Sequence, residues 1–381
     1  MKMLKRVLSV LLGLSLALSV CTCLSFGEGE PMLGDVDGNG VVDNNDAIHL
    51  LYNTIFGDED YPLNQTCDFS ANGKIDNEDA IYLLYHTIFP ESYPLDGSGV
   101  LGPIRDTELM ENFDPEILCP SNYSAKKNNV TYGEMVRTKY YSTTCEKNRN
   151  VIVLLPAGYD ESKEYPVMYI LHGIFGDETS MIGDGNSGIR IILGNLMNEG
   201  LAEDMIVVFP YMYASKTQDY CTGIDKENSL AYDNFVNDLV NDLMPFMAKN
   251  YAVAEGRDNT AIIGFSMGGR ESLAIGFAKP ELIGYVGAIA PAPGLTPGRD
   301  WAMEHYGQYK EEELVFGDVS PYFLMICSGD RDGTVGSFPK SYHNILNKNK
   351  VEHVWYEIPG SDHGDPAISS GIYNFAITIF K

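Results

Sequence analysis

The chain has 381 residues, 44% of them hydrophobic and 21% charged, enough apolar material for a large packed domain and a small second one. Its formal net charge of −27 argues against nucleic acid and anionic membranes as partners, because both repel such a surface.

Lys2, Lys5 and Arg6 precede the leucine-rich run 7–20, and small and polar residues follow. This is the pattern of a secretory signal over residues 1–27, and the run is too short for a membrane span. Of seven cysteines, Cys21 and Cys23 lie in or beside that segment. The other five, Cys67, Cys119, Cys145, Cys221 and Cys327, have no metal-ligand spacing. Cys119 with Cys145 is the pairing to test as a disulfide, and Cys327 falls in an apolar strand pattern and reads as a buried thiol.

A repeat follows. The segment from Asp46 to Phe56, DAIHLLYNTIF, returns 33 residues later from Asp79 to Phe89 as DAIYLLYHTIF. Each copy follows a polar loop of twelve residues, Asp35 to Asp46 and Asp68 to Asp79. Calcium is a hard cation that takes six to eight oxygens, and such a loop supplies them from positions 1, 3, 5, 7, 9 and 12. Those positions are Asp35, Asp37, Asn39, Val41, Asp43 and Asp46 in the first loop. In the second they are Asp68, Ser70, Asn72, Lys74, Asp76 and Asp79, with Val41 and Lys74 contributing backbone carbonyls. Glycine holds position 6 in both, where the loop turns sharply. Position 12 is Asp rather than Glu, and no helix precedes the first loop, so each unit is a loop plus one helix.

Residues 34–95 therefore resemble dockerin modules, which carry two calcium loop–helix segments. The resemblance implies two structural calcium ions and a cohesin domain of a scaffolding protein as partner. It also implies that positions 10 and 11, here Asn44-Asn45 and Asn77-Glu78, help choose the cohesin.

Residues 96–125 read as a linker, opening on the Gly- and Pro-rich stretch PLDGSGVLGP at 94–103. Beyond it, apolar runs at 151–155, 167–171, 205–210, 260–265, 286–290, 323–327 and 353–358 predict strands. Helical patterns alternate with them near 190–199, 230–249, 267–278, 337–347 and 367–379. Apolar strands separated by helices predict an α/β fold over 126–381, a mostly parallel sheet covered on both faces.

Gly264-Phe265-Ser266-Met267-Gly268 fits G-x-S-x-G between a predicted strand and a predicted helix, the context of a nucleophile elbow. A serine hydroxyl needs a base to take its proton and an acid to orient that base. The base candidate is His363, in the loop after the last strand. His305 is its weaker rival, and His343 and His353 read as structural. Asp332 in Ser328-Gly-Asp-Arg-Asp332 is the favoured acid, with Asp330 the alternative, while Asp362 and Asp365 read as loop or helix-capping residues. Acyl transfer also needs two N–H donors for the oxyanion. Met267 follows the nucleophile, and the H-G-x-x-G stretch His172 to Gly176 offers Ile174, with Gly173 the next choice and His172 bracing the loop.

Together these motifs resemble carbohydrate esterase family one, a group of feruloyl and acetylxylan esterases with the α/β-hydrolase fold. The resemblance implies a Ser266–His363–Asp332 triad and esters of plant cell-wall xylan as substrate. Tyr211 and Trp301 are candidates for stacking on an aromatic acyl group or a sugar. The combined expectation is a secreted, scaffold-docked serine esterase releasing feruloyl groups, with no cofactor in the chemistry. Acetylxylan esterase is the alternative, and a catalytically idle hydrolase fold serving as a binding module is the alternative from another class.

Overall fold

Five runs decide the architecture of the larger unit, because they are apolar on both faces. They are β3 (Val167–Leu171), β4 (Ile206–Pro210), β5 (Thr260–Phe265), β6 (Tyr285–Ile289) and β9 (Phe323–Gly329), buried almost throughout. Only a sheet covered on both sides accommodates such strands. In the computed structural model they lie in an eight-stranded sheet of order β1–β2–β4–β3–β5–β6–β9–β10. Here β1 is Met135–Ser142, β2 Lys147–Leu154 and β10 Val354–Ile358. From β4 to β10 neighbours run parallel, and β1 and β2 close one edge antiparallel. A two-stranded hairpin, β7 (Gly298–Arg299) with β8 (Glu304–His305), stands outside the sheet.

The described residues are 32–57, 60–63, 67–69, 74–88, 95, 107–111, 113–183, 188–317 and 319–381. The signal segment 1–27 and the Gly/Pro-rich stretch 96–103 lie outside them. Among the described residues no helix is long and apolar enough to cross a membrane. The chain divides into two compact units, 1–104 and 105–381.

Strand alternation sorts the core of the larger unit onto two faces. Val167, Tyr169 and Leu171 point to one, with the helical segment 226–250 and helices 267–278 and 338–348. Met168 and Ile170 point to the other, with helices 189–198 and 367–376. Residues 113–125, which the composition placed in the linker, belong to this unit. Phe113 packs on Phe323 at 5.2 Å, Tyr123 packs on Tyr373 at 5.5 Å, and the Glu116 N–H donates to Asn374 Oδ1 at 2.9 Å. The expected Cys119–Cys145 pair is not formed, because the two thiols lie in the cores of opposite sheet faces.

The helix expected over 230–249 is broken into Lys226–Asp233, Phe235–Asp238, a π-turn at Leu239–Leu243 and Met244–Asn250. Pro245 has no N–H for the turn before it. Asp242, in that turn, instead accepts the Thr143 N–H at 2.8 Å and the Thr144 N–H at 3.0 Å. One turn earlier, Asp238 is fully buried against Arg149, Nε to Oδ2 3.0 Å, and takes the Tyr140 hydroxyl. Arg149 also donates to the carbonyls of Tyr211 and Tyr213, so one buried cation ties β2, the broken helix and the loop after β4.

In the smaller unit, helices Asn44–Phe56 and Asn77–Ile88 pack through Ala47, Leu50, Ala80 and Leu83, the same positions of the two repeats. Asp43 caps the first helix in a capping box with Asp46. The repeat is reciprocal at the side-chain level. The Thr54 hydroxyl donates to Asn77 Oδ1 and the Thr87 hydroxyl to Asn44 Oδ1, both at 2.6 Å. Asn44 and Asn77 thus clasp the two helices as well as standing at the positions expected to face a partner.

Removing one member of a buried ion pair strands the other. Arg149→Ala is expected to destabilise the larger unit by roughly 3–5 kcal/mol, and pairing Arg149→Met with Asp238→Leu to recover most of that loss. Both tryptophans, Trp301 and Trp355, lie in this unit, so denaturant unfolding followed by tryptophan emission measures it directly.

Candidate active site

The carboxyl ends of β3, β5, β9 and β10 share one edge of the sheet, and each delivers one part of the site. At the end of β5 the chain turns sharply into helix Met267–Ala278 with Ser266 at φ +57°. Gly264 and Gly268 permit the turn. A Cβ on Gly264 would come within 2.3 Å of the Gly268 backbone, and one on Gly268 within 2.3 Å of the Leu171 carbonyl oxygen. The Ser266 N–H donates to the Ile289 carbonyl at 2.9 Å, which pins the turn to β6.

The loop after β10 carries His363 to the serine. Its Nε2 lies 2.9 Å from Ser266 Oγ, and its Nδ1 lies 2.7 Å from Asp332 Oδ2. A carboxylate only accepts, so Nδ1 carries the proton and Nε2 is left to accept from the serine. The Phe265 ring lies against the imidazole, centroids 4.5 Å apart. Burial opposes ionisation of Asp332, but bonds from His363 and from the N–H groups of Val335 and Thr334 outweigh it. Its carboxyl therefore titrates below the usual range and stays charged at neutral pH.

The structure separates the alternatives left open by the sequence. Asp330 is exposed, and its Oδ1 accepts the Gly360 N–H at 2.6 Å, fixing the turn before His363. Asp362 accepts the His363 N–H, and Asp365 accepts the Ser369 N–H at the head of the last helix. His305 pairs with Asp300 in the β7–β8 hairpin, while His343 and His353 bond each other at 2.8 Å.

The loop after β3 faces the serine, since a Cβ on Gly173 would meet Ser266 Cβ at 3.5 Å. His172, 1% exposed, accepts the Met212 N–H at Nε2 and donates from Nδ1 to the Gly173 carbonyl at 2.7 Å. A Cβ on Gly176 would lie 2.8 Å from His172 Nδ1, which explains the second glycine of H-G-x-x-G. Gly176 N–H bonds back to Gly173 O, and Phe175 N–H donates to the Tyr232 hydroxyl. No bond among the described residues occupies the N–H of Ile174 or Met267. Among the described residues both expected oxyanion donors thus have their N–H groups unengaged.

Tyr211 is half-buried. Its ring stacks on His172 at 5.7 Å, and its hydroxyl donates to the Asp219 carbonyl at 2.9 Å, so it supports the loop after β3. Trp301, 74% exposed, lies between the hairpin strands. Sequence patterns missed Arg270, wholly buried one turn beyond the serine. Its guanidinium meets Asp233 and Glu271 (2.6 Å to the latter) and donates to the Pro293 carbonyl. Burial and the neighbouring Glu271 push the Asp233 carboxyl up. Only an Arg-Glu pair inside an otherwise small and apolar helix hinted at this.

A second candidate site lies in the smaller unit. Carboxylate oxygens of Asp35, Asp37 and Asp46 fall within 4.8 Å of one another. Asp35 and Asp46 are buried, while Gly40 N–H donates to Asp35, and Val36, Asp37 and Asp43 N–H groups donate to Asp46. A converging set of carboxylates, two of them buried, fits a hard divalent cation. Asn39 and Asp43 turn oxygens to the loop backbone at Val41 and Asn45. In the second loop Asp79 accepts the Asp76 N–H at 2.8 Å, the same bond that Asp46 makes with Asp43. Asp68 and Lys74 lie among the described residues, and Ser70 and Asn72 outside them.

Known proteins share this geometry to different extents. The Esterase family model, described as "Putative esterase", matches residues 142–336. A CE1 ferulic acid esterase from Anaeromyces mucronatus, solved in complex with ferulic acid, is 45% identical with a TM-score of 0.67, covering 70% of this chain and 98% of that one. An Endo-1,4-beta-xylanase/feruloyl esterase from Xylanibacter ruminicola is 27% identical over 220 residues, 56% of this chain and 27% of that protein. The match thus spans about a quarter of that curated relative. The feruloyl esterase module from Clostridium thermocellum, solved with sinapinate, shares the fold at 19% identity and TM-score 0.52, covering 70% of this chain and 93% of that one.

The chain belongs to this esterase family. It is a serine carboxylic-ester hydrolase with the α/β-hydrolase fold.

Burial holds the His172 pKa down to about 4, so the ring stays neutral in the native state. In the unfolded chain it protonates near 6.5. The unfolded state therefore binds more protons between those values, and stability falls as pH drops from 6.5 to 4. His172→Asn should lessen that slope by up to about 1.4 kcal/mol per pH unit, read from denaturant unfolding at several pH values.

Proposed function

We propose that this protein is a secreted feruloyl esterase acting on plant cell-wall xylan, docked to a scaffold by its calcium-loop module. The observation that carries the catalytic part is the hydrogen-bonded line Ser266–His363–Asp332, with the N–H groups of Ile174 and Met267 unengaged among the described residues. The 45% identity to a ferulic acid esterase, over 98% of that structure, supports the acyl group. Exposed Tyr220 and Trp301, on the loops after β4 and β6, offer flat faces suited to an aromatic acid or a sugar ring.

Ser266 Oγ attacks the ester carbonyl as His363 Nε2 takes its proton, while Asp332 holds the imidazole and stabilises its positive charge. Oxygen charge develops toward the N–H groups of Met267 and Ile174. His363 then protonates the departing sugar oxygen, leaving a feruloyl ester on Ser266. Water, deprotonated by His363, attacks that ester and releases ferulate.

In the smaller unit Asp35, Asp37, Asn39, Asp43, Asp46 and the Val41 carbonyl would hold one calcium ion. Asp68, Ser70, Asn72, Asp76, Asp79 and the Lys74 carbonyl would hold the second. Bound calcium supplies charge compensation for the carboxylates and folds the loops that present the helices to a cohesin. Tethering beside xylanases would raise the local concentration of both activities on one substrate. The signal segment supports secretion.

The test is product release from feruloylated, acetylated arabinoxylan, with ferulate and acetate quantified in one reaction. Ferulate is expected, and Ser266→Ala should lower its release by about 10⁴-fold or more. Acetate alone would make the protein an acetylxylan esterase, and neither product would bring forward the idle-fold reading. A chelator should abolish binding to a panel of immobilised cohesins and leave ester hydrolysis near its full rate. Loss of hydrolysis with calcium would overturn the division of labour between the two units.

A further inference from the structure

The bond between the Phe175 N–H and the Tyr232 hydroxyl is not accounted for by the triad. The Gly176 N–H donates to the Gly173 carbonyl at 3.1 Å, which closes a four-residue turn with Ile174 and Phe175 at its centre. Phe175 has φ +63°, whereas Ile174 is not among the residues at positive φ. Positive φ at the third residue alone defines a type II turn, which normally places glycine there. A phenylalanine in this conformation is strained and persists only where its surroundings impose it. Packing of its own ring is a weak restraint, because the side chain is 57% exposed.

Tyr232 supplies the restraint. It is fully buried in helix Lys226–Asp233, wedged edge-on against His172 and Tyr213. Its hydroxyl, beside the Cys221 thiol, accepts the Phe175 N–H at 3.1 Å. In a type II turn that N–H belongs to the central peptide, whose rotation converts the turn to type I and returns the third residue to negative φ. Tyr232 grips the one peptide whose rotation would relieve the strain. The preceding N–H of the same turn is that of Ile174, which no bond among the described residues occupies.

The geometry points to Tyr232 as a positioning residue for the oxyanion hole, holding the Gly173–Gly176 turn in the strained form that presents the Ile174 N–H. This rests on the assignment of Ile174 as an oxyanion donor. The donor must sit within about 0.5 Å of its place to favour the transition state over the bound ester. Loss of the hydroxyl should therefore act on kcat rather than on KM.

The test compares full-length wild type, Tyr232→Phe, Tyr232→Phe with Phe175→Gly, and Tyr165→Phe, with methyl ferulate as substrate. Tyr165 is a matched control: a buried tyrosine whose hydroxyl also accepts a backbone N–H, that of Asp160, at 3.1 Å in a different loop. Tyr232→Phe should lower kcat about tenfold with KM nearly unchanged, because it loosens one oxyanion donor without deleting it. Inhibition by an arylboronic acid, which forms a tetrahedral anion on the serine, should weaken by a similar factor. Glycine adopts positive φ without strain, so adding Phe175→Gly should restore most of the lost kcat. Tyr165→Phe should keep the wild-type kcat.

A wild-type kcat in Tyr232→Phe, a loss confined to KM, an equal loss in Tyr165→Phe or no rescue by Phe175→Gly would each overturn the inference, with the esterase reading intact. Failure of the boronic acid to inhibit the wild type would instead sink the oxyanion-hole reading, and this inference with it.

Discussion

The site depends on one close approach, that of β3, β5 and the helix after Ser266. The backbone at Gly268 passes so near Leu171 that no side chain fits, and Gly264 faces Gly268 under the same restriction. This contact forces Ser266 to positive φ and places the start of helix Met267–Ala278 beside the loop after β3. The nucleophile and the loop after β3 are brought together by backbone, before any side chain contributes. Sheet order does the rest, because β9 and β10 are parallel neighbours whose carboxyl-end loops deliver Asp332 and His363 to the same edge.

Electrostatics divides the histidines and acids by role. His172 braces the loop that faces the serine, and His363 bonds the serine directly. Burial keeps His172 neutral and lets it brace backbone from both ring nitrogens. His363 has an ionised acid at Nδ1 and a hydroxyl at Nε2, the arrangement of a base that must gain and return a proton. The buried cations Arg149 and Arg270 act as clamps: Arg149 joins β2 to the loop after β4, and Arg270 joins the helix after the serine to the loop after β6, each through carboxylate and backbone carbonyl partners. Charge in this interior is retained where it fixes a loop.

What was legible in the sequence was what is local. The elbow, H-G-x-x-G and the two polar loops are each set by a few adjacent residues whose spacing is the chemistry. The central strands were legible because burial on both faces leaves an unbroken apolar run. Strand β1 was not, since Arg137 and Lys139 alternate along its exposed side and the half-buried edge strand lacks such a run. The break at 239–243 depended on Asp238 and Asp242 finding partners about 100 residues away. The choice between Asp330 and Asp332 was likewise non-local: Asp332 meets the His363 ring of the loop after β10, whereas Asp330 takes the Gly360 N–H. The shift of 113–125 from linker to catalytic unit rests on aromatic contacts with residues more than 200 positions later.

The central claim is that Ser266 becomes acylated through His363. The most direct measurement is mass spectrometry of the protein acid-quenched during turnover of methyl ferulate, with the modified peptide mapped. The account predicts one feruloyl group on Ser266, absent from Ser266→Ala and strongly diminished in His363→Ala. A feruloyl group on another residue, or turnover that persists in Ser266→Ala, would contradict it.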